Sequence, residues 1–172
     1  MLFTTHAITG ATIGFLTGNP ILGFFGGWLS HHILDALPHF DQGSFYMEKD
    51  NGPTWLGACY KEKKKKFKIK RDWIILLIDI SVTLLIALYF AANIPVYFWP
   101  PMIFGAIGGL FPDILDTSPF WKDKFRKTRI GFLFHKVHSF FHWPLSMQFF
   151  YIGFGLQILI VAIDLFILSS FF

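Results

Sequence analysis

A 20-residue apolar stretch, 73–92, constrains the fold of this chain more than any other feature. Asp79 is its only charged residue, and a transmembrane α-helix needs about 20 predominantly apolar residues. Backbone that faces lipid must satisfy its hydrogen bonds internally, so such a segment crosses a bilayer as a helix. The stretch therefore predicts a helical membrane protein.

The composition agrees with this prediction. Of the 172 residues, 53% are hydrophobic, 23 are phenylalanine and only 15% are charged, whereas about 25% are charged in an average soluble domain. These values argue against a soluble enzyme and against a disordered chain. A single cysteine, Cys59, excludes an internal disulfide and a cysteine-based zinc knuckle. The length suits about one domain, and we predict one membrane-embedded domain over 1–172.

Four further apolar segments indicate an all-α, polytopic membrane protein. We predict five apolar helical segments, of which four or five cross the membrane, and a short histidine-bearing interfacial helix before the last one. The first segment is short for a span. Pro144 is expected to begin the last helix, because proline suits the first helical turn. The five segments are 3–16, 21–37, 73–92, 99–111 and 144–172.

The basic residues predict the orientation of the chain. All but Lys49 and Lys136 of the 15 lysines and arginines lie in two runs, 61–71 and 122–129. Both runs lie on the same side of the hairpin formed by the third and fourth segments, and the positive-inside rule makes that side cytoplasmic. We predict a polar, Lys-rich cytoplasmic loop at 41–71. It should contact anionic membrane lipid, and no nucleic-acid-binding motif accompanies it.

All seven histidines fall in three places that this topology brings to one membrane surface. One lies in the first segment, three follow at the end of the second, and three precede the last. Four acidic residues accompany them, and ionisable groups are costly at a membrane unless they are paired or functional. The residues are His6, His31, His32, His39, His135, His138 and His142, with Asp35, Asp41, Asp113 and Asp116.

The spacing of these residues fits metal ligands. His31 and Asp35 share one helix face, whereas His32 points about 100° away, and the late histidines form a stripe at intervals of three and four. Imidazole with carboxylate suits zinc, and several carboxylates suit manganese or paired metals. We predict one to three divalent ions, zinc first, with manganese or iron as alternatives. The predicted ligands are His6, His31, Asp35, His39, Asp113, His135 and His138, and the predicted catalytic groups are Asp116 and His142.

Simpler explanations remain open for individual residues. The late histidines could simply form the solvent-exposed polar face of an interfacial helix. Asp113 and Asp116 could be turn or capping residues, and His6 could be a hydrogen-bonded polar residue. The isolated acids in the apolar segments have no partner in the sequence. We expect Asp79 to face the bundle interior and Asp164 to reach towards the far surface.

Several motifs in chain order carry a family resemblance. They are Thr5-His6-Ala7, Ser30-His31-His32-Ile33-Leu34-Asp35-Ala36-Leu37-Pro38-His39-Phe40-Asp41, Gly108-Gly109-Leu110-Phe111-Pro112-Asp113 and the late His135/His138-Ser139. Together they resemble the predicted membrane-bound metal-dependent hydrolases, small inner-membrane proteins of bacteria and archaea that include a LexA-regulated type. The block around Asp35 is also similar to the His-x3-Asp…Pro…His metal signature of zinc-dependent phospholipase C and the P1-type nucleases. The resemblance implies that Asp35, His39 and Asp113 bind metal.

These observations lead to one expectation and two alternatives. We expect a metal-dependent hydrolase in the inner membrane, with its site at the cytoplasmic face and an anionic phosphoester, such as a phospholipid, as substrate. One alternative is a non-catalytic metal-binding or metal-transporting membrane protein, although the nearly uncharged spans argue against transport. The other is a membrane di-iron oxygenase, for which the chain is short. The sequence gives no indication of oligomeric state.

Overall fold

The computed structural model of the protein describes residues 1–41, 69–118 and 120–171, apart from the side chains of 69–72. Within these ranges the chain is all-helical and contains no β-strand, which confirms the predicted all-α class. The predicted Lys-rich loop lies almost entirely outside the described residues. The α-helices are α1 (Phe3–Thr17), α2 (Pro20–Asp35), α3 (Ile69–Asn93), α4 (Trp99–Asp116), α5 (Lys122–Arg126), α6 (Arg129–Phe141) and α7 (Phe150–Ser169).

Three helical stretches among the described residues are long and apolar enough to cross a membrane. They are Trp73–Asn93, Val96–Asp116 and Met147–Ser169, and they fit a membrane protein. Helices α1 and α2 have 15 and 16 residues. They rise about 23 Å, less than the roughly 30 Å of a hydrocarbon core. The prediction of four or five spans is therefore not confirmed, because the first two helices are too short.

Glycines bring α1, α2 and α4 into backbone contact. A Cβ at Gly10 or at Gly27 would fall well inside van der Waals distance of the carbonyl oxygen of Gly105, and a Cβ at Gly14 would meet that of Pro101 in the same way. Small residues permit this close approach, which supplies packing energy between helices in a membrane. These three helices form the centre of the bundle.

Two buried acids attach α3 and α7 to α1. The Asp79 carboxylate accepts hydrogen bonds from the N–H groups of Phe3 and Thr4 at 2.6 and 3.1 Å. A side chain of α3 thus caps the first turn of α1. Asp164 accepts a hydrogen bond from the Thr9 hydroxyl at 2.5 Å. Asp79 faces the interior as predicted, but the expectation for Asp164 is wrong, because this residue is buried against α1.

The chain before α7 is extended, so the prediction that Pro144 begins the last helix is wrong. The N–H of His39 donates to the carbonyl of Trp143 at 3.2 Å, and the N–H of Leu145 donates to the carbonyl of His39 at 2.7 Å. This pairing forms an isolated bridge between His39 and Pro144. It occupies backbone groups that a helical turn would need, so α7 begins only at Phe150.

The helices bring the histidines and the acids that accompany them to one end of the bundle. The beginning of α1 lies there with the ends of α2 and α4 and the beginning of α7. Helix α6 packs beside them, with the Phe134 ring 6.2 Å from that of Trp28 in α2 and 6.5 Å from that of Phe111 in α4. Histidines far apart in sequence are thereby brought together, as the predicted topology requires.

Candidate metal centre

The fully buried carboxylate of Asp35 is the centre of the site. The Nε2 atom of His6 lies 3.2 Å from Oδ1, and that of His31 lies 3.2 Å from Oδ2. The Nε2 atoms of His39 and His138 lie 3.8 Å from Oδ1 and 3.4 Å from Oδ2, respectively. Four imidazoles from three separate parts of the chain therefore present the same ring atom to one carboxylate.

Hydrogen bonds at the opposite ring nitrogen orient three of these imidazoles. The Nδ1 of His31 donates to the carbonyl of Gly109 at 2.7 Å, and that of His39 donates to the carbonyl of Leu37 at 2.9 Å. A carbonyl oxygen can only accept, so Nδ1 carries the proton and Nε2 keeps a lone pair in the neutral ring. The Nδ1 of His138 is likewise bonded to a carboxylate. This is the arrangement that metal-bound histidines adopt.

Several buried atoms at the centre have no hydrogen-bond partner. They are both ring nitrogens of His6, Nε2 of His39 and Oδ2 of Asp35. The Nε2 atoms of His31 and His138 are instead joined by a hydrogen bond of 3.2 Å, in which the more basic His138 ring donates. Buried polar atoms without partners are costly. A cation can bind one nitrogen of each imidazole together with Oδ2 of Asp35, so these donors fit a metal ion, whereas the other ring nitrogen of His6 is not satisfied by it.

The ligand atoms form three overlapping sets, each with two imidazoles and one carboxylate. Within each set all the atoms lie within 4.8 Å of one another. Two residues, His31 and Asp35, each belong to two sets. Nitrogen and oxygen donors of this kind suit zinc and several other transition metals. The sets are His31, Asp35 and His138; Asp35, His39 and His142; and His6, His31 and Asp113.

The outer edge of the site is formed by His142 and Asp41. The Nε2 atom of His142 lies 3.2 Å from Oδ2 of Asp41, and its ring centroid lies 4.8 Å from that of His39. Burial raises the pKa of Asp41, but the hydrogen bond and charge of His142 outweigh burial and hold that pKa well below its usual range. His142, predicted as a catalytic group, is thus brought into a ligand set at the more exposed side of the centre.

Asp116 lies behind His138 and joins three side chains. Its Oδ2 accepts hydrogen bonds from Nδ1 of both His135 and His138 at 2.9 Å. Its Oδ1 accepts one from Nε of Arg126 at 2.8 Å. Among the described residues, neither Asp116 nor His135 joins a ligand set. His135, which was predicted as a ligand, therefore contacts Asp116 and does not reach the centre.

The carboxylates around His138 favour positive charge at this point. Burial lowers the pKa of His138, but the hydrogen bond to Asp116 and the nearby carboxylates of Asp35, at 3.4 Å, and Asp113 outweigh it and raise the pKa to about 10. At His39 the balance is opposite, because burial and the charge of the N-terminal amine hold the pKa well below its usual range. The surroundings of His138 are therefore anionic, and either a proton on His138 or a bound metal ion would compensate this charge, whereas His39 is neutral.

Some contacts at the site were not predicted from the sequence. The amino group of Met1 donates to Oδ1 of Asp35 at 2.8 Å. Burial lowers the pKa of this amine, but the charges of Asp35, Asp113 and Asp41 raise it overall. Asp41 is among the acids that the sequence places beside the histidines, but it is not among the predicted site residues. The roles of Met1 and Arg126 depend on tertiary contacts that no local spacing indicates.

Comparison of the chain with protein-family models, with curated proteins and with solved structures finds no match. The function is therefore inferred from the geometry of the site, with the motif resemblance as an expectation beside it.

Proposed function

We propose that this protein is a membrane-embedded, metal-dependent hydrolase that acts on phosphoesters at the cytoplasmic face. The observation that carries the proposal is the convergence of four Nε2 atoms on the buried carboxylate of Asp35. Burying so many ionisable groups in one apolar bundle costs free energy, and such groups usually serve a function. The inward-facing ring nitrogens suit a Lewis-acidic cation.

The three ligand sets would hold one to three divalent ions, and zinc is the first candidate. Such an ion acts as a Lewis acid and lowers the pKa of a bound water to about 7. Asp116 would hold the His138 ring in position through Nδ1. His142 and Asp41, at the exposed edge, would accept or orient a proton where a substrate can reach the centre.

The charge near the site supports an anionic substrate. Lys124, Lys127 and Arg129 are exposed in and around α5, the helix that follows the site-bearing end of α4. Cationic side chains at a membrane surface attract anionic headgroups. A phospholipid phosphoester that enters from the adjacent leaflet fits this arrangement.

One observation favours a second candidate function, a metal site without catalysis. The side chains of His6, His31 and Asp35 are fully buried, and structural metal sites are closed, whereas catalytic sites keep an open position. The two functions differ in whether the bound metal turns over a phosphoester.

Metal removal tests the proposal and separates the two functions. Protein purified in detergent is expected to contain about one or more equivalents of zinc, manganese or iron by elemental analysis. It should hydrolyse bis(p-nitrophenyl) phosphate or phosphatidylglycerol, because the bound ion supplies the nucleophile. Chelation should abolish hydrolysis, and zinc or manganese should restore it. Bound metal without hydrolysis would favour the non-catalytic site, and an iron absorption spectrum would favour the oxygenase. Absence of bound metal would exclude the hydrolase, the non-catalytic metal site and the oxygenase.

We predict that Asp116→Asn weakens zinc binding by about 10- to 100-fold, the usual cost of losing a carboxylate behind a histidine ligand. The substitution removes the charge that orients His138 but leaves every ligand atom in place. A competition titration with a fluorescent zinc chelator measures the effect, and the exposed acid of α5, changed by Asp123→Asn, is the control. Unchanged zinc affinity with lost hydrolysis would instead make Asp116 a proton acceptor.

A further inference from the structure

Helix α6 has two unlike faces. His138 faces the site and is buried, whereas Ile130, Leu133 and Val137 are 77%, 63% and 44% exposed. These three residues are spaced by three and four, so they form one stripe on the helix. At 100° per residue the stripe lies about 140° from His135 and His138. We call Ile130, Leu133 and Val137 the outer stripe.

Basic residues border the outer stripe. Arg129 and Lys136 are exposed on α6, and Lys124 and Lys127 are exposed in the segment that leads into it. Among the described residues from 120 to 141, Asp123 is the one acid. A helix with an apolar stripe and flanking lysines and arginines has the pattern of segments that bind anionic membrane surfaces.

We propose that the outer stripe of α6 and its flanking basic residues bind the anionic lipid of the bilayer surface. The charge pattern favours lipid over a second copy of the chain as the occupant. Two copies joined through this stripe would bring their basic residues together, and like charges would oppose the contact. Anionic headgroups would instead neutralise Arg129, Lys136 and their neighbours while acyl chains cover the stripe.

The same helix would transmit lipid binding to the metal centre, an extension that rests on the proposed function. His138 is fixed on the inner face of α6, with its Nε2 atom 3.4 Å from Asp35. Lipid bound along the outer stripe would restrain the position of α6 as a whole against the bundle, and His138 with it. A restrained ligand binds metal with a smaller entropic cost, so anionic lipid should strengthen metal binding.

Spin labels test the lipid contact without any metal. The single cysteine is removed by Cys59→Ser, and nitroxides are attached after Leu133→Cys or, as the control on the same helix, Lys136→Cys. In vesicles of phosphatidylcholine and phosphatidylglycerol, the label at 133 should collide more with oxygen and less with a polar nickel chelate than the label at 136. Equal or greater nickel access at 133 would overturn the proposal, as would dipolar broadening between labels of two copies.

A zinc titration in nanodiscs tests the link to the centre. Zinc affinity should be about fivefold higher in discs containing phosphatidylglycerol than in pure phosphatidylcholine, a factor typical of coupled sites. Replacing Lys124, Lys127, Arg129 and Lys136 by glutamine should remove the difference. Equal affinities in both lipids would overturn the coupling. If zinc binds in neither kind of disc, the metal site and its coupling are overturned, while the spin-label result on α6 stands by itself.

Discussion

Asp35→Asn is expected to abolish the metal site, with zinc binding weakened by at least about 100-fold, more than the loss of a carboxylate hydrogen-bonded behind a histidine ligand costs. Asp35 belongs to two of the three ligand sets, and its oxygens lie within 3.8 Å of four imidazole Nε2 atoms. Asparagine keeps the shape of the side chain but removes its negative charge. Elemental analysis and chelator competition measure the loss.

The matched control for this experiment is Asp164→Asn. Asp164 is also a buried acid in the bundle, but its carboxylate bonds to Thr9 of α1 and belongs to no ligand set among the described residues. This variant should keep the zinc content of the wild type. If Asp35→Asn folds with an unchanged thermal transition and retains full zinc affinity, the centre is not built around Asp35 and the proposed function is wrong.

The ligand pairs that one helix holds could be predicted from the sequence. His31 and Asp35 share a face at an interval of four, and the structure brings both into the centre, with His32 outside the ligand sets. The basic runs gave a topology in which His6, Asp113 and the late histidines share one surface, and these segments do meet. Hydrophobic periodicity and charge distribution are properties of neighbouring residues, so they can be recognised in a single sequence.

The features that the sequence did not predict depend on tertiary contacts. Pro144 has the local pattern of a helix start, but the backbone of His39 pairs with its neighbours and keeps the chain extended. Asp164 has no partner nearby in sequence, because its partner Thr9 lies on another helix. Spacing likewise could not show that Asp116 lies behind His138 rather than at the centre. In each instance the deciding contact joins residues from separate elements.

Gly105→Ala is expected to destabilise the bundle by about 3 kcal/mol or more, at or above the usual range for overpacking a core. The added Cβ would collide with the backbone carbonyl of Gly10 and approach the backbone nitrogen of Gly14 at 3.1 Å. No side-chain rotation relieves a clash with backbone, so α1 and α4 must separate. The thermal midpoint in detergent should fall by about 6–12 °C, given the usual scaling for a chain of this size.

Gly155→Ala separates this packing effect from the general effect of replacing glycine. Its Cβ would meet no atom within 4 Å, and alanine in a helix is favoured over glycine by about 1 kcal/mol. The control should therefore keep or raise the thermal midpoint, opposite in sign to Gly105→Ala. Separation of α1 from α4 would also draw His6 away from Asp113, so Gly105→Ala should lose zinc affinity as well. A midpoint equal to that of Gly155→Ala would show that α1 and α4 are not packed backbone to backbone.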